Sequence, residues 1–407
     1  MADVRPFHAI RPVAATAQQV IALPYDVPTL DECRTLAKNP LTFLHVTRSE
    51  VDLPEGADPH GEEAYRKAKE NLARFRSDGT LQKDASAAYY IYAQTMGEHH
   101  QVGILAACST EDYDAGRIKK HEFTRPDKED DRTHHMQLLG AQVGLVFLAY
   151  PSNHAINTIT QRVTQQPAAW SVVTEDGVTH AFWTVPSAES APLHQAFQSV
   201  ETLYIADGHH RSAAASRVAA LRADEPSKWF LAGLYPDDNL KVLAYNRVVH
   251  DLNGHTPASF LAHVDEAFVR SPASSDTPSK RGSFTMYMEG AWYSLTPRDG
   301  VVDHADPVAR IDAAVLQDHL LGPILGIANP RRSERITFVG GIRGARALAR
   351  AVDNGAAVAF HLFPTGLDQL FDVADADMVM PPKSTWFEPK LREGVVSRDL
   401  SDLPPTP

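Results

Sequence analysis

The stretch YIADGHHRSAAASRV, residues 204–218, sets five consecutive polar or small residues between an apolar approach and an alanine-rich run. The approach, residues 203–206, predicts a short buried strand, and the helical spacing of apolar residues over 212–220 predicts a helix. A strand that runs into a helix is typical of α/β folds. The free N–H groups at the helix start and the flexibility of Gly208 favour the close approach of an anion. We therefore expect an anion site on this strand-to-helix turn.

The residues of this turn have the capacities that phosphoryl transfer requires. Arg211 can donate to two phosphate oxygens, the N–H groups after Gly208 can hold a third, and a histidine can donate to the bridging oxygen. His209 and His210 are adjacent, so we expect one in the site and one in support, and the sequence leaves the choice open. Asp207 is a candidate Mg²⁺ ligand, or alternatively a structural cap of the helix.

Composition narrows the class of protein. The 407 residues are 43% hydrophobic and 22% charged, which is typical of globular proteins and predicts two domains. A net charge of -12 argues against a nucleic-acid-binding surface over the whole molecule. The two cysteines, Cys33 and Cys108, give neither a disulfide framework nor a cysteine metal site, which favours the cytoplasm. Neither a signal peptide nor a membrane helix is expected.

Interleaved strand and helix patterns predict an α/β to α+β fold, with a mixed sheet and helices. We expect an N-terminal α/β segment over 1–84, a central domain over 85–255 that carries the polar turn, and a C-terminal α+β domain over 256–400.

Local patterns give more specific expectations. The segment 40–54, PLTFLHVTRSEVDLP, predicts a strand followed by a loop, and 61–76 predicts an amphipathic helix. Residues 87–95 and 101–109 predict a β-hairpin. A further helix is expected over 309–327.

A second unusual stretch is RIKKHEFTRPDKEDDRTHH, residues 117–135. Pro126 predicts an extended segment that feeds a helix starting near Asp127. A carboxylate among lysines and histidines can accept a proton while the cations guide an anionic substrate, so Glu122 is the candidate base. The alternative is a solvated, salt-bridged helix face. The other candidates are Lys119, Lys120, Arg125 and Lys128 for nucleotide phosphates and His121 and Thr124 for the substrate.

A third candidate is MPPKSTWFEPKLREG, residues 380–394. Its prolines predict a rigid loop in which Lys383 meets a phosphate and Ser384 or Thr385 meets a substrate carboxylate. Alternatively, Trp386 and Phe387, which follow, pack into the core and anchor the loop, and this structural role explains the same sequence. The LPYDV stretch at 23–27 is either a substrate loop or only a turn, and the turn is favoured.

The motifs ALPYDV, FLHVTR, IKKHEFT, KEDDR, YIADGHHRSAAA, YNRVV and MPPKSTWFEPKL resemble, over nearly the full length, the microbial family called domain of unknown function 1015. The HE and DGHHR motifs, within about 104–250, also resemble those of free serine kinases of the ParB and sulfiredoxin-like superfamily. That resemblance implies a nucleotide-binding central unit. It makes Glu122 the base on the serine hydroxyl and gives Asp207, His209, His210 and Arg211 to the nucleotide phosphates.

The function expected from these residues is a kinase of a small hydroxylated metabolite, with free L-serine the leading acceptor, ATP or ADP the donor and Mg²⁺ the cation. One alternative is a nucleotide-binding regulator without catalysis, similar to ParB relatives. Another is a metal-dependent phosphatase or hydrolase that uses Asp207, His209 and a distant residue such as His121. The expected partners are the nucleotide and an amino acid, with no membrane and no nucleic acid.

Overall fold

The computed structural model describes residues 2–407 and has a mixed α/β fold, which confirms the predicted fold class. The strands are β1 (Val4–Arg5), β2 (Ile10–Pro12), β3 (Leu81–Lys83), β4 (Tyr90–Met96), β5 (His99–Ser109), β6 (Ile118–Lys119), β7 (Ala141–Gln142), β8 (Val146–Tyr150), β9 (Trp170–Val173), β10 (Thr179–Thr184), β11 (Leu203–Asp207), β12 (Trp229–Pro236), β13 (Lys241–Leu243), β14 (Tyr245–Val249), β15 (Phe268–Pro272), β16 (Phe284–Met288), β17 (Ala291–Pro297), β18 (Ile336–Gly340), β19 (Val358–Leu362), β20 (Trp386–Glu388) and β21 (Arg398–Asp399). The α-helices are α1 (Ala17–Val20), α2 (Leu30–Leu36), α3 (Leu44–Thr47), α4 (Glu62–Ser77), α5 (Thr110–Asp114), α6 (Pro126–Leu139), α7 (His154–Thr164), α8 (Ser187–Phe197), α9 (His209–Arg222), α10 (Pro257–Ala267), α11 (Asp312–Leu316), α12 (Gly344–Asp353) and α13 (Leu367–Asp375).

Contacts between residues divide the chain into two compact units. The first contains residues 2–240 and also the C-terminal segment Pro389–Pro407, and the second is Lys241–Glu388. This division differs from the three predicted segments. The expected boundary after residue 84 falls inside the first unit, because β1 pairs with β5 and β2 pairs with β3. The expected boundary after residue 255 falls inside the second unit, beyond its interior strand β14.

The first unit is built on a nine-stranded mixed sheet in the order β6-β11-β8-β12-β5-β4-β10-β9, with β1 paired to β5. Strand β11 lies between β6, to which it is parallel, and β8, to which it is antiparallel. Strands β4 and β5 form the predicted hairpin. The polar turn follows β11, so it lies at the end of a strand that is paired on both sides.

Helix α9, which follows the turn, packs against α6 and against β8 and β12. Its alanines form the buried face, because a small side chain lets a helix lie close to a sheet. The core beneath it contains Ile118, Val146, Leu148, Ile205, Ala214, Ala215 and Val218. This packing fixes the direction in which the polar turn leaves the sheet.

The strand predicted within 40–54 is wrong. Residues Leu44–Thr47 form α3, and Ser49–Asp52 continue as a 3₁₀ turn. Phe43, Leu44 and Val46 are all buried among the residues of α4 and the N-terminal segment. Burial on successive positions and helical hydrogen bonds outweigh the strand preference of the β-branched residues. The helix predicted over 61–76 is confirmed as α4, with its apolar face buried.

The second unit has a six-stranded sheet in the order β15-β17-β16-β19-β14-β18 and a separate two-stranded ribbon, β13 with β20. Helix α12 packs on β14, β16 and β19 around a core that includes Val248, Leu348 and Ala359. The helix predicted over 309–327 is interrupted, because α11 gives way to a π turn at Gln317–Leu321.

Within residues 2–407, we find no helix of the length and apolar character needed to cross a bilayer.

Candidate active site

The register between β6 and β11 brings the two sequence motifs together. Tyr204 lies beside Lys119 in a parallel pair. Glu122 and Asp207 each follow this pair by three positions in the sequence, so they are also 85 residues apart. Arg125 and His210 have the same offset of 85 residues, and the Arg125 N–H donates to His210 Nε2 at 3.1 Å. The HE segment and the DGHHR turn therefore leave the same edge of the sheet side by side.

Gly208 makes the turn between β11 and α9. Its φ of +92° lies in the left-handed region, which favours glycine over any residue with a Cβ. A Cβ here would also lie 3.4 Å from Val146 Cα. Helix α9 begins at His209, earlier than the 212 expected from periodicity, so His209 and His210 carry N–H groups in the first helical turn. Those groups have no acceptor within the helix, and they make this end of α9 suitable for an anion.

Asp207 is held in an ion pair that the sequence did not predict. Its Oδ2 accepts a hydrogen bond from Lys390 Nζ at 2.6 Å, and its Oδ1 accepts one from the N–H of Gly208 at 2.8 Å. Partial burial tends to raise the pKa of the Asp207 carboxyl, but the positive charges of Lys390 and Arg211 outweigh it and hold that pKa well below its ordinary value. Asp207 is therefore an anion at every pH at which the protein is expected to work.

Two buried histidines lie against each other beside this pair. The rings of His121 and His209 meet edge to face, with centroids 4.6 Å apart. Burial lowers the pKa of His121 to about 3 and that of His209 to about 4, so both imidazoles are neutral near pH 7. His121 bonds the backbone of Ile205, while its Nδ1 and His209 Nε2 are buried without a hydrogen-bond partner in residues 2–407. These two nitrogens are the polar atoms that the fold leaves for a ligand.

His210 points elsewhere. It is half-buried, and its Nε2 accepts a hydrogen bond from the Arg125 N–H. Burial holds its pKa below the ordinary value, and the negative charges of Glu122 and Asp26 offset only part of that effect. The adjacent histidines thus have different surroundings: His209 packs on His121, and His210 connects the turn to the segment that precedes α6.

Arg211 is already engaged inside the protein. Its Nη2 donates to Glu393 Oε1 at 2.6 Å and its Nη1 donates to Leu145 O at 3.0 Å. The guanidinium also lies 5.2 Å from the ring centre of Tyr25. The arrangement differs from the phosphate clamp expected from the sequence, because two of its donor groups already have acceptors.

The remaining predicted residues of the 117–135 stretch surround the turn. Lys119 is the last residue of β6, and the Lys120 ammonium lies 5.1 Å from the ring centre of Tyr113. Arg125 is exposed and paired with Asp127 at 2.8 Å. Thr124 donates to Glu129, and Lys128 lies half-buried in the first turn of α6.

Lys383, Ser384 and Thr385 belong to the second unit. Lys383 has φ of +58°, and its ammonium lies 5.4 Å from the ring centre of Tyr245. The buried Ser384 donates to Pro381 O at 2.7 Å, and its own carbonyl accepts from Thr365 at 2.8 Å. The substrate roles expected of these three residues stay predictions.

With this geometry in hand, the chain can be compared with known proteins. Residues 4–314 match the family described as "Protein of unknown function (DUF1015)". The chain belongs to the DUF1015 family. This confirms the membership that the motifs predict, whereas no match was found among curated proteins.

Three solved structures show a distant likeness to this DUF1015 protein. A variant of free serine kinase in complex with ADP is 12% identical, with a TM-score of 0.36, and the match covers 70% of this chain and 87% of that one. A conserved hypothetical protein from Pyrococcus furiosus is 11% identical, with a TM-score of 0.35 and coverage of 70% and 90%. SbnI with a C-terminal truncation, from Staphylococcus aureus, is 8% identical, with a TM-score of 0.39 and coverage of 72% and 86%. Likeness at this level identifies neither a ligand nor a reaction for this protein.

The sequence interpretation missed two residues that bond the side chains of the polar turn, Lys390 and Glu393. Both lie beyond the family match, on the segment that returns to the first unit. Gln94 and Gln101 donate to the carbonyls of Lys390 and Pro389 at 2.9 and 3.1 Å, and so fix this segment on the sheet. The available signal was the pair of opposite charges three residues apart in PKLREG, within a stretch that the sequence predicted to be either a ligand-binding loop or a packed anchor.

The LPYDV stretch forms a turn, which was the favoured interpretation, and its Tyr25 ring lies beside Arg211. Arg48 Nη1 donates to Tyr25 O at 2.7 Å and to Pro28 O at 3.3 Å, which holds the loop in place. The Tyr25 ring has the guanidinium of Arg132 4.2 Å from its centre, in addition to that of Arg211.

The residues of the turn do not form a resident metal site. Both oxygens of Asp207 accept hydrogen bonds. No group of three or more histidine, cysteine, aspartate or glutamate side chains in residues 2–407 is arranged to hold a metal ion. His121 and His209 do meet, as the metal-triad alternative requires, but both oxygens of the third residue, Asp207, are engaged by Lys390 and Gly208. A cation that arrives with nucleotide phosphates needs only one or two protein ligands and is a separate case.

Proposed function

We propose that the protein is a nucleotide-dependent phosphotransferase that phosphorylates the hydroxyl of a small metabolite, with free L-serine the leading acceptor. The observation that supports this proposal is the parallel register of β6 and β11, because the segment that carries Glu122 and the start of α9 follow these two neighbouring strands. Phosphoryl transfer requires those two parts, a base for the attacking hydroxyl and fixed positive potential for the phosphate.

In the proposed reaction, the acceptor hydroxyl attacks the terminal phosphorus of the nucleotide while Glu122 accepts its proton. The new bond joins the hydroxyl oxygen to phosphorus, and the bond from phosphorus to the bridging oxygen breaks. The electron pair leaves with the nucleotide, which becomes a diphosphate if the donor is ATP and a monophosphate if it is ADP. The protein's part is to place the reactants and to stabilise charge.

The N-terminal turn of α9 supplies the phosphate contacts. The N–H groups of His209 and His210 and the buried Nε2 of His209 are the available donors. A neutral imidazole carries a single N–H, so His209 can donate without adding charge that would repel Lys390. The His121 ring fixes the His209 ring from the side.

Lys390 is the cation of the proposed phosphate site, in place of Arg211. An ammonium ion is a compact charge, and the bond to Asp207 fixes its place beside the turn. We assign Asp207 a positioning role, since its carboxylate sets where the Lys390 charge stands. Mg²⁺ remains an expectation, and it would be carried by the nucleotide phosphates.

The test is the formation of phosphoserine from L-serine with ATP or with ADP, in the wild type and two variants. Glu122→Gln and Asp207→Ala are each expected to abolish turnover and leave thermal unfolding within a few degrees of the wild type. Glu201→Gln, an exposed glutamate just before β11, is the matched control and is expected to retain activity. Nucleotide binding without any product would favour the regulator, and unfolding of both variants would make the two residues structural.

A further inference from the structure

A pocket adjoins the polar turn on the inner side of α9. Its lining includes Val146 and Arg211. Both residues also border the turn, since a Cβ on Gly208 would touch Val146 and Arg211 lies in the first turn of α9. Apolar side chains such as Met136 and Phe230 form much of the rest of the wall.

The charges of this pocket have an unusual arrangement. Glu393 is only 3% exposed and lines the pocket. Its Oε1 accepts from Arg211 and its carboxylate also interacts with the Thr47 hydroxyl, whereas Oε2 is buried with no hydrogen bond of normal geometry in residues 2–407. A buried carboxylate oxygen without a partner is costly, and native proteins rarely keep one unless something binds there.

A second guanidinium lies on the same lining. Arg132 bonds Asp131 through its Nε and Nη2 edge, and Tyr25 stacks on the guanidinium plane. The Nη1 edge is thereby left for an anion. The pocket thus presents a negative atom at Glu393 and a positive edge at Arg132 within one largely apolar enclosure.

We infer that this pocket binds the ammonium and carboxylate groups of a small zwitterionic amino acid, with the ammonium on Glu393 Oε2 and the carboxylate on Arg132. The inference rests on the proposed function, because the hydroxyl of the same amino acid would be the acceptor that Glu122 deprotonates. An ammonium supplies the donors and the charge that Glu393 lacks, and a carboxylate matches a guanidinium edge. A simple alcohol or hydroxy acid would leave Glu393 Oε2 unpaired.

Analogues of L-serine test this assignment on the wild-type protein. 3-Hydroxypropionate keeps the hydroxyl and carboxylate but has no ammonium, and ethanolamine keeps the hydroxyl and ammonium but has no carboxylate. Isothermal titration with nucleotide present is expected to show that each analogue binds about tenfold to hundredfold more weakly than L-serine, as the loss of one charged hydrogen bond requires. Equal affinity for L-serine and 3-hydroxypropionate would overturn the inference.

The variant Glu393→Gln gives an independent measurement. It keeps the shape of the side chain and removes its charge, so affinity for L-serine is expected to fall about tenfold or more while affinity for 3-hydroxypropionate stays the same. A merely structural role would weaken both ligands alike and would count against the pocket. If the variant does not fold, the analogue series on the wild type decides.

The two proposals fail in different ways. Binding of L-serine in preference to both analogues, without phosphoserine formation, would retain the pocket and remove the kinase. Phosphorylation of 3-hydroxypropionate as efficiently as of L-serine would retain the kinase and remove the pocket.

Discussion

Removal of the Lys390 ammonium probes the ion pair that links the C-terminal segment to the polar turn. Lys390→Met keeps an unbranched side chain of nearly the same length and removes the charge together with the hydrogen-bond donors. The pair is 2.6 Å long, with 16% of the Lys390 side chain and 43% of the Asp207 side chain exposed. Exposed pairs contribute about 0.2–1 kcal/mol, and breaking a buried one costs about 3–5 kcal/mol. For this half-exposed pair we expect a loss of about 1–2 kcal/mol in the free energy of unfolding, or about 3–6 °C in Tm.

The assay is a double-mutant cycle at pH 7, with Lys390→Met, Asp207→Asn and both together, followed by chemical denaturation. A coupling energy of about 1–2 kcal/mol is expected. Lys228→Met is the matched control, because its ammonium forms surface pairs with Glu111 and Glu225, and this substitution is expected to leave the stability nearly unchanged.

The pH dependence of the unfolding free energy is a second test of this ion pair. Lys390 holds the pKa of Asp207 below its unfolded value, so the pair stabilises the fold above about pH 3.9 and its contribution is lost as the pH falls through the depressed folded value. The difference between wild type and Lys390→Met is therefore expected to shrink in strong acid. A coupling energy below about 0.3 kcal/mol at pH 7 would refute the reasoning, since additive sites agree within that margin.

Three further predictions concern single residues. Gly208→Ala is expected to lower the free energy of unfolding by about 1–2 kcal/mol because of its positive φ, and also to weaken nucleotide binding. Gly116→Ala, at φ of +73°, should lower the stability alone. Calorimetry measures the stability of each variant, and titration measures its nucleotide binding. His121→Asn should flatten the fall of unfolding free energy between about pH 6.5 and pH 4, because the wild-type ring, with a pKa of about 3, must be protonated on unfolding in that range; an unchanged slope by denaturation would contradict this. Burial raises the pKa of Asp312 to about 7, so the pH dependence is opposite to that of His121: stability is lost as the pH rises from about 4 to 7. Asp312→Asn should therefore stabilise the protein by about 1–3 kcal/mol at pH 8. Urea denaturation at two pH values tests this prediction.

Local sequence determines much of this architecture. The strand before Asp207 and the helix after it follow from the apolar run and the alanine spacing, and the glycine between them follows from the left-handed backbone. The β4–β5 hairpin and α4 are equally visible, because each carries its own periodicity. The segment 40–54 was misread because its β-branched residues favour a strand, while contacts distant in sequence make it helical.

The site is harder to predict because its parts are distant in sequence. Glu122 and Asp207 follow two strands that are neighbours only through a parallel pairing, and Lys390 reaches Asp207 across 183 positions. Arg211 has the pattern of a phosphate ligand, yet Glu393, 182 positions away, takes part of its guanidinium. The periodicity of a single sequence does not show which charged side chains will pair once the C-terminal segment packs against the first unit.

The central claim is that Glu122 and the α9 turn form one site for phosphoryl transfer. The most direct measurement is ³¹P NMR of the protein with nucleotide and L-serine, in the wild type and in Glu122→Gln. We predict that the wild type converts the terminal phosphate of the nucleotide into phosphoserine, and that the variant still shifts the nucleotide resonances on binding but forms no phosphoserine. Phosphoserine formation by Glu122→Gln at the wild-type rate would contradict the account.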